Sequence, residues 1–331
     1  MSSKTQKTTE IMSTEIQYTI SNEYGRGSVQ GYHRSPSPRD LSKGAKSTDI
    51  KNLKSASKRN LIDLGNGDTD SRFTIGMEVE KQRLSRGAVK EYPLFCGFER
   101  DSSCGYEAIT NIIPLLPSGQ WRNKVFNMMF QARKIIEDQY SPSSSRCGGH
   151  ITLAVQGMSG AEVMKAIRKN CGIVYSLFYK RLNNGYCNGN LTMLDLTDIR
   201  HCDTENVMRF QRRYNVCLDK GNTIEFRVVS RFQSVKQMMR RYELFYELLD
   251  FSINNPNGNH NTFLKKITPI VKSMYNGDMD KVNEKFALAK SFRTMILKNK
   301  VNRDVINYVD PMRRLDARKW YDRDLIRNGH R

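Results

Sequence analysis

Glu78 and Glu80 stand two residues apart in Thr74-Ile75-Gly76-Met77-Glu78-Val79-Glu80, and Glu225 stands two residues before Arg227 in Asn222-Thr223-Ile224-Glu225-Phe226-Arg227-Val228-Val229. Both runs read as strands. Side chains at i and i+2 of a strand leave the same face, so each run presents two ionic groups to one surface. Carboxylates in that arrangement suit a divalent cation, whose preferred ligands are oxygens. The planar guanidinium of Arg227 suits a phosphate, whose oxygens it meets bidentately without ever deprotonating. Taken singly, a Glu-x-Glu is most often a solvated strand face, and a Glu-x-Arg an ordinary ion pair.

Two further segments lie between these runs. Asp101-Ser102-Ser103-Cys104-Gly105-Tyr106-Glu107 adds a carboxylate, and Cys147-Gly148-Gly149-His150-Ile151-Thr152-Leu153 adds a histidine with the same period of two. The order Glu-x-Glu, Asp-x-Ser with a following Glu, Cys-Gly-x-His, Arg181 with Tyr186-Cys187, and Thr-Ile-Glu-Phe-Arg resembles the amidoligase family. That family belongs to the carboxylate–amine ligases related to glutamine synthetase and glutamate–cysteine ligase. The resemblance spans roughly residues 73 to 250 and departs from the family pattern at two places. Thr152 stands where a second histidine often follows the first, and Ser102 stands where glycine is usual. It implies Glu78, Glu80, Glu107 and Glu225 as magnesium ligands, with His150 beside the phosphates of ATP. Arg227 would clamp the transferred phosphoryl group, and Arg181 would hold a substrate carboxylate or phosphate. The implied reaction is ATP- and Mg-dependent formation of an amide or isopeptide bond through an acyl phosphate. Its carboxylate and amine substrates would be peptide-like or cell-wall-like.

Such a site needs a sheet to carry it. Phe73 to Lys81, Tyr92 to Arg100 and Gly149 to Gln156 read as strands, and Tyr214 to Leu218 with Thr223 to Val229 reads as a hairpin around Asp219-Lys220-Gly221-Asn222. Helices are expected at Gln120 to Tyr140, at Gly160 to Lys180 and at Gln233 to Asp250. In the first of these, Val125, Met128, Met129, Ala132, Ile135 and Ile136 fall on one three-four face. Hairpin-joined strands with long helices between them predict an α+β fold. Its antiparallel sheet, glutamine-synthetase-like by the resemblance, is covered by helices on one face, and the other face forms a polar, open floor.

The remainder of the chain differs in texture. Residues 1–70 are rich in Ser, Thr, Lys, Gly and Asn and poor in large apolar residues, which predicts a disordered or partner-ordered basic arm. Residues 71–252 would form the amidoligase-like catalytic domain, and 253–331 a basic helical region with 17 Lys and Arg against 8 Asp and Glu. No apolar run is long enough for a membrane span, no signal peptide is evident, and the odd set of seven cysteines fits reduced thiols, so a cytoplasmic protein is expected. Cys147 and Cys187 read as packed thiols, and Cys147 with His150 lacks the second pair that a zinc site needs.

The net charge of +20 is not required for ligation. It leaves an alternative open: a protein that binds nucleic acid or another polyanion, or serves in assembly, and keeps the ligase fold without turnover. Lys165, Arg168 and Lys169, then Arg209, Arg212 and Arg213, then Arg240 and Arg241 are the basic clusters that would serve it. A metal-dependent nuclease is a third reading, although His150 has no histidine partner at 148 or 152.

Overall fold

The computed structural model describes residues 62, 64, 72–82, 92–101, 104–137, 147–181, 216–219 and 223–297. The Tyr186-Cys187 element, Ser102 and Ser103, the cluster Arg209, Arg212 and Arg213, most of the 1–70 segment and residues 298–331 lie outside them.

The fold is α+β. The described residues form seven strands: β1 (Phe73–Lys81), β2 (Phe95–Asp101), β3 (Gly105–Thr110), β4 (Ile113–Pro114), β5 (Ile151–Val155), β6 (Cys217–Asp219) and β7 (Ile224–Phe226). They form one sheet in the order β2-β3-β1-β5-β7-β6, with β4 also paired to β1, and every pairing is antiparallel. The expected hairpin is β6–β7, with Leu218 opposite Glu225. Strand β1 lies in the middle of the sheet and is buried along its whole length. Its apolar residues Ile75, Met77 and Val79 alternate with Thr74, Gly76, Glu78 and Glu80, so hydrophobic and ionic groups leave opposite faces.

The helices are α1 (Gln120–Gln131), α2 (Arg133–Ile136), α3 (Gly160–Ile167), α4 (Gly172–Leu177), α5 (Val235–Asn254), α6 (His260–Met274) and α7 (Met279–Leu297), with a 3-10 turn at Tyr179–Arg181. Two expected helices are broken. The first is interrupted at Ala132, and Lys81 reaches from β1 to donate its Nζ to the Ile136 carbonyl at 2.8 Å. The second gives way at Arg168–Cys171 before α4 begins at Gly172. A Cβ on Gly172 would lie 2.3 Å from the Ala289 carbonyl oxygen of α7, so the chain needs glycine there for the two helix backbones to meet.

Helix α5 is the central strut. Tyr242 donates its hydroxyl to the Pro114 carbonyl at 2.6 Å and accepts from the Leu116 amide at 2.7 Å, fastening α5 to the strand end beside β1. The Phe226 and Phe245 rings pack 5.1 Å apart between β7 and α5. Helices α6 and α7 join the same hydrophobic core through Phe263, Ile267, Phe292 and Ile296. Ile62 and Leu64, which belong to the 1–70 segment, are also buried in that core, and the Ile62 amide donates to the Ile112 carbonyl. No helix of the described residues is long and apolar enough to cross a membrane.

Between α5, α6 and the α3–α4 turn lies a buried polar chain. His260 Nδ1 donates to Asn170 Oδ1 at 3.0 Å, and Asn170 Nδ2 donates to Ser252 Oγ at 3.1 Å. Burial, with Arg293, Lys290 and Lys169 nearby, pulls the His260 pKa from 6.5 down to about 4.

Two predictions follow from this framework. Tyr242→Phe leaves the buried Leu116 amide without its acceptor and lowers unfolding free energy by about 1–3 kcal/mol in urea titration. His260 is neutral in the folded state and titrates near 6.5 when unfolded, so its contribution is complete above pH 6.5 and is lost as pH falls toward 4. Thermal melts of wild type against His260→Gln should therefore diverge in slope between pH 6.5 and 5, the wild type falling more steeply.

Candidate metal centre

The antiparallel registers bring together residues more than 140 positions apart in sequence. Glu78 on β1 donates its amide to the His150 carbonyl at 3.0 Å, which sets the two residues opposite each other. Thr152 on β5 faces Glu225 on β7, so His150, Glu225 and Arg227 share the face of Glu78 and Glu80. His150 is the hub. Its Nδ1 lies 2.7 Å from Glu78 Oε2 and 3.7 Å from Glu225 Oε1, and its Nε2 lies 3.2 Å from Glu80 Oε1. Arg227 Nη1 donates to Glu225 Oε1 at 2.6 Å.

Sequence reasoning set His150 beside phosphates. In the structure it sits among the carboxylates. The face expected to form a polar floor is buried at these residues: Glu78, Glu80, Glu225 and His150 are 2%, 3%, 0% and 6% exposed. Arg181, expected to bind substrate, is 3% exposed and donates its Nη1 to the Cys147 carbonyl at 3.1 Å.

Gly148 shapes the centre. Its amide donates to Glu80 Oε2. A Cβ built there would lie 3.1 Å from Glu80 Oε1, 3.2 Å from Arg181 Nη2 and 3.4 Å from His150 Nε2, so an acid, a guanidinium and an imidazole converge over the glycine. Gly149 is constrained from the other side, because a Cβ would lie 2.5 Å from the Ser230 carbonyl oxygen. Ser230 pairs with Gly148 in an isolated bridge, and the Gly149 amide donates to the Val229 carbonyl at 3.0 Å.

Arg241 of α5 holds that strand from the core. It is fully buried, donates to the Ser230 carbonyl and hydroxyl, and lies against Phe232 and Phe178 at 4.7 and 5.3 Å from the ring centroids. Burial, assisted by the charge of Arg181, lowers its pKa to about 9, which still leaves it charged at neutral pH. Nothing in the sequence distinguished Arg241 from the neighbouring Arg240, which pairs with Glu243 one helical turn on. Next to the centre, a hydrogen bond with Cys104 holds the Cys147 thiol below its ordinary pKa, against burial, which pushes it up.

Glu107 is placed on the same face but not in the tight cluster. The register sets it directly opposite Glu80, and it is 6% exposed. In the backbone register position 99 of β2 stands opposite Glu107 in turn, a pairing across strands that the sequence alone does not show. Like charges directly opposite on neighbouring strands repel, so Glu80 and Glu107 favour a cation between them.

The donor set fits a divalent ion. One ligand atom each from Glu78, Glu80 and His150 lie within 4.8 Å of one another, and all three residues are buried. Glu80 Oε1 makes no hydrogen bond of acceptable geometry although it faces the imidazole. A neutral imidazole can donate at only one nitrogen, so a ring flanked by carboxylates on both sides calls for a second proton or a metal ion. Carboxylates suit magnesium, and a histidine nitrogen extends the set to manganese.

Fold and site thus define an α+β protein with a buried carboxylate–histidine centre on an antiparallel sheet. Compared with protein-family models, curated proteins and solved structures, the chain gives no significant match to any of them.

If the centre holds a cation, Mg²⁺ or Mn²⁺ added after EDTA treatment raises the melting temperature, with a stabilisation of about 2.7 kcal/mol at a cation concentration near 100 Kd. Glu78→Gln and His150→Ala abolish that rise. Gly148→Ala, which puts a methyl group where the three side chains meet, weakens cation affinity while circular dichroism stays native.

Proposed function

We propose that the chain is a divalent-cation-dependent ligase that uses ATP to join a carboxylate to an amine, on a sheet of the glutamine-synthetase kind. The observation that carries this reading is the convergence of Glu78 and Glu80 from β1, His150 before β5, and Glu225 and Arg227 at β7 on one sheet face. Each run alone has an ordinary explanation. Their meeting in one buried place concentrates more negative charge than a core tolerates without cations.

Glu78, Glu80 and His150 would hold the ion, with Glu225 and Glu107 as neighbouring carboxylates. When bound, a divalent cation supplies neutralisation of phosphate charge during phosphoryl transfer. Arg227 is half-buried and paired with Glu225, and its planar guanidinium suits a phosphoryl group. Arg181 places a second fixed positive charge beside Gly148. In the reaction, the substrate carboxylate takes the γ-phosphoryl group of ATP, releasing ADP. The amine then attacks the acyl carbon, phosphate leaves, and the nitrogen gives up a proton. Burial strengthens each electrostatic contact and keeps water from the acyl phosphate.

Calorimetric titration with ATP, with and without Mg²⁺, tests the reading on wild type and on Glu78→Ala and Glu225→Ala. Metal-dependent binding in wild type, lost in both folded variants, supports it. Absence of metal-dependent ATP binding in wild type removes it. Given a substrate pair, Arg227→Ala should lower ADP release by on the order of a hundredfold.

A further inference from the structure

The outer face of α1 has features that the buried centre does not use. Val125, Met128 and Met129 turn into the core, yet two large aromatics point the other way: Phe126 is 38% and Phe130 49% exposed. They stand one helical turn apart, with ring centroids at 6.3 Å and planes inclined by only 22°. The Arg133 guanidinium continues the row, 4.5 Å from the Phe130 centroid, and its Nη1 donates to the Phe130 carbonyl at 3.2 Å. Two rings and a guanidinium therefore form a ladder along one side of α1 and α2.

The surroundings of the ladder are cationic and amide-rich. Asn123, Asn127, Gln131 and Lys134 are exposed around it. From Gln120 to Ile136 the chain has no Asp or Glu, and among the described residues no carboxylate pairs with Arg133 or Lys134. Four residues of the basic clusters that the sequence pointed to are engaged elsewhere. Arg241 is buried, Arg240 is paired with Glu243, and Arg168 and Lys169 donate to the Ile296 and Pro256 carbonyls.

We propose that this face of α1 and α2 binds single-stranded nucleic acid, with bases stacked on Phe126 and Phe130 and phosphates met by Arg133 and Lys134. Exposed aromatic rings accept any base, because every base has a π-face, and flanking cations follow the backbone. The neighbouring amides can donate to and accept from base edges and sugars. The net charge of +20 draws a polyanion toward the chain at long range. A lipid surface is a poorer fit, because interfacial helices present a broad apolar stripe, whereas here the rings are interleaved with amides. A protein interface is also a poorer fit, since Lys and unpaired charge are depleted from interface cores. The proposal is independent of the metal centre and of the ligase reading.

The test uses the full chain and a fluorescein-labelled single-stranded oligonucleotide of mixed sequence, as DNA and as RNA, followed by anisotropy across a salt series. Because other basic residues also attract nucleic acid, the aromatic contribution must be read separately from charge. The expected result is that the double variant Phe126→Ala/Phe130→Ala binds on the order of tenfold more weakly with an unchanged salt slope. Arg133→Ala/Lys134→Ala should lower the slope of log affinity against log salt by roughly one to two. Circular dichroism on each variant confirms the fold, which these exposed positions do not support. Three outcomes overturn the proposal: no binding by wild type at low salt, equal binding by wild type and the phenylalanine variant, or phenylalanine-dependent binding to anionic phosphatidylglycerol vesicles but not to the oligonucleotide.

Discussion

Burying three carboxylates around one histidine is the constraint on which the rest of this structure depends. Ionised groups withdrawn from water lose several kcal/mol of hydration each unless opposite charges or donors replace it. The chain supplies those replacements locally. Arg227 lies two residues from Glu225 on the same face, the Gly148 amide donates to Glu80, and Arg181 brings its guanidinium over Gly148. The His150 ring joins the carboxylates of Glu78, Glu80 and Glu225, which come from two different strands. Such a centre is built to hold positive charge, and a divalent cation is the compact form of it.

The scaffold around the centre is stiff for the same reason. Gly148 and Gly149 let the chain before β5 approach both the site and Ser230 more closely than any side chain would allow. Arg241, rooted in α5 and lying against two aromatic rings, holds Ser230 from behind. Tyr242, the next residue, ties α5 to Pro114 and Leu116. Adjacent residues of one helix thus brace the sheet at two places, and small displacements of α5 would be felt at the centre. Helices α6 and α7 add their apolar faces to this core, and of their lysines only Lys285 is buried.

The carboxylate–histidine cluster is enclosed, whereas the ladder of rings and guanidinium is exposed, so the two need not serve one purpose. The ladder of Phe126, Phe130 and Arg133 faces outward on α1 while Val125, Met128 and Met129 of the same helix face the core. One helix therefore contributes both to the fold and to the exterior chemistry.

The sequence by itself determined the alternation of Glu78 and Glu80 with Met77 and Val79, the Glu225–Arg227 pair, the β6–β7 hairpin and the apolar stripe of α1, because each is set by periodicity within a few residues. It also determined the α+β class, since strands at period two and helices at period 3.6 cannot exchange roles. Only the tertiary structure decided what depends on long-range register. Opposing Glu78 to His150 requires β1 and β5 to pair across more than 70 residues, and opposing Glu225 to Thr152 requires a third strand. The breaks at Ala132 and Arg168–Cys171 were likewise invisible, because they answer to Lys81 and to the backbone of α7. Arg241 looked like a surface residue for the same physical reason. Whether a charge is buried is settled by what packs around it, and a single sequence does not contain its own neighbours in space.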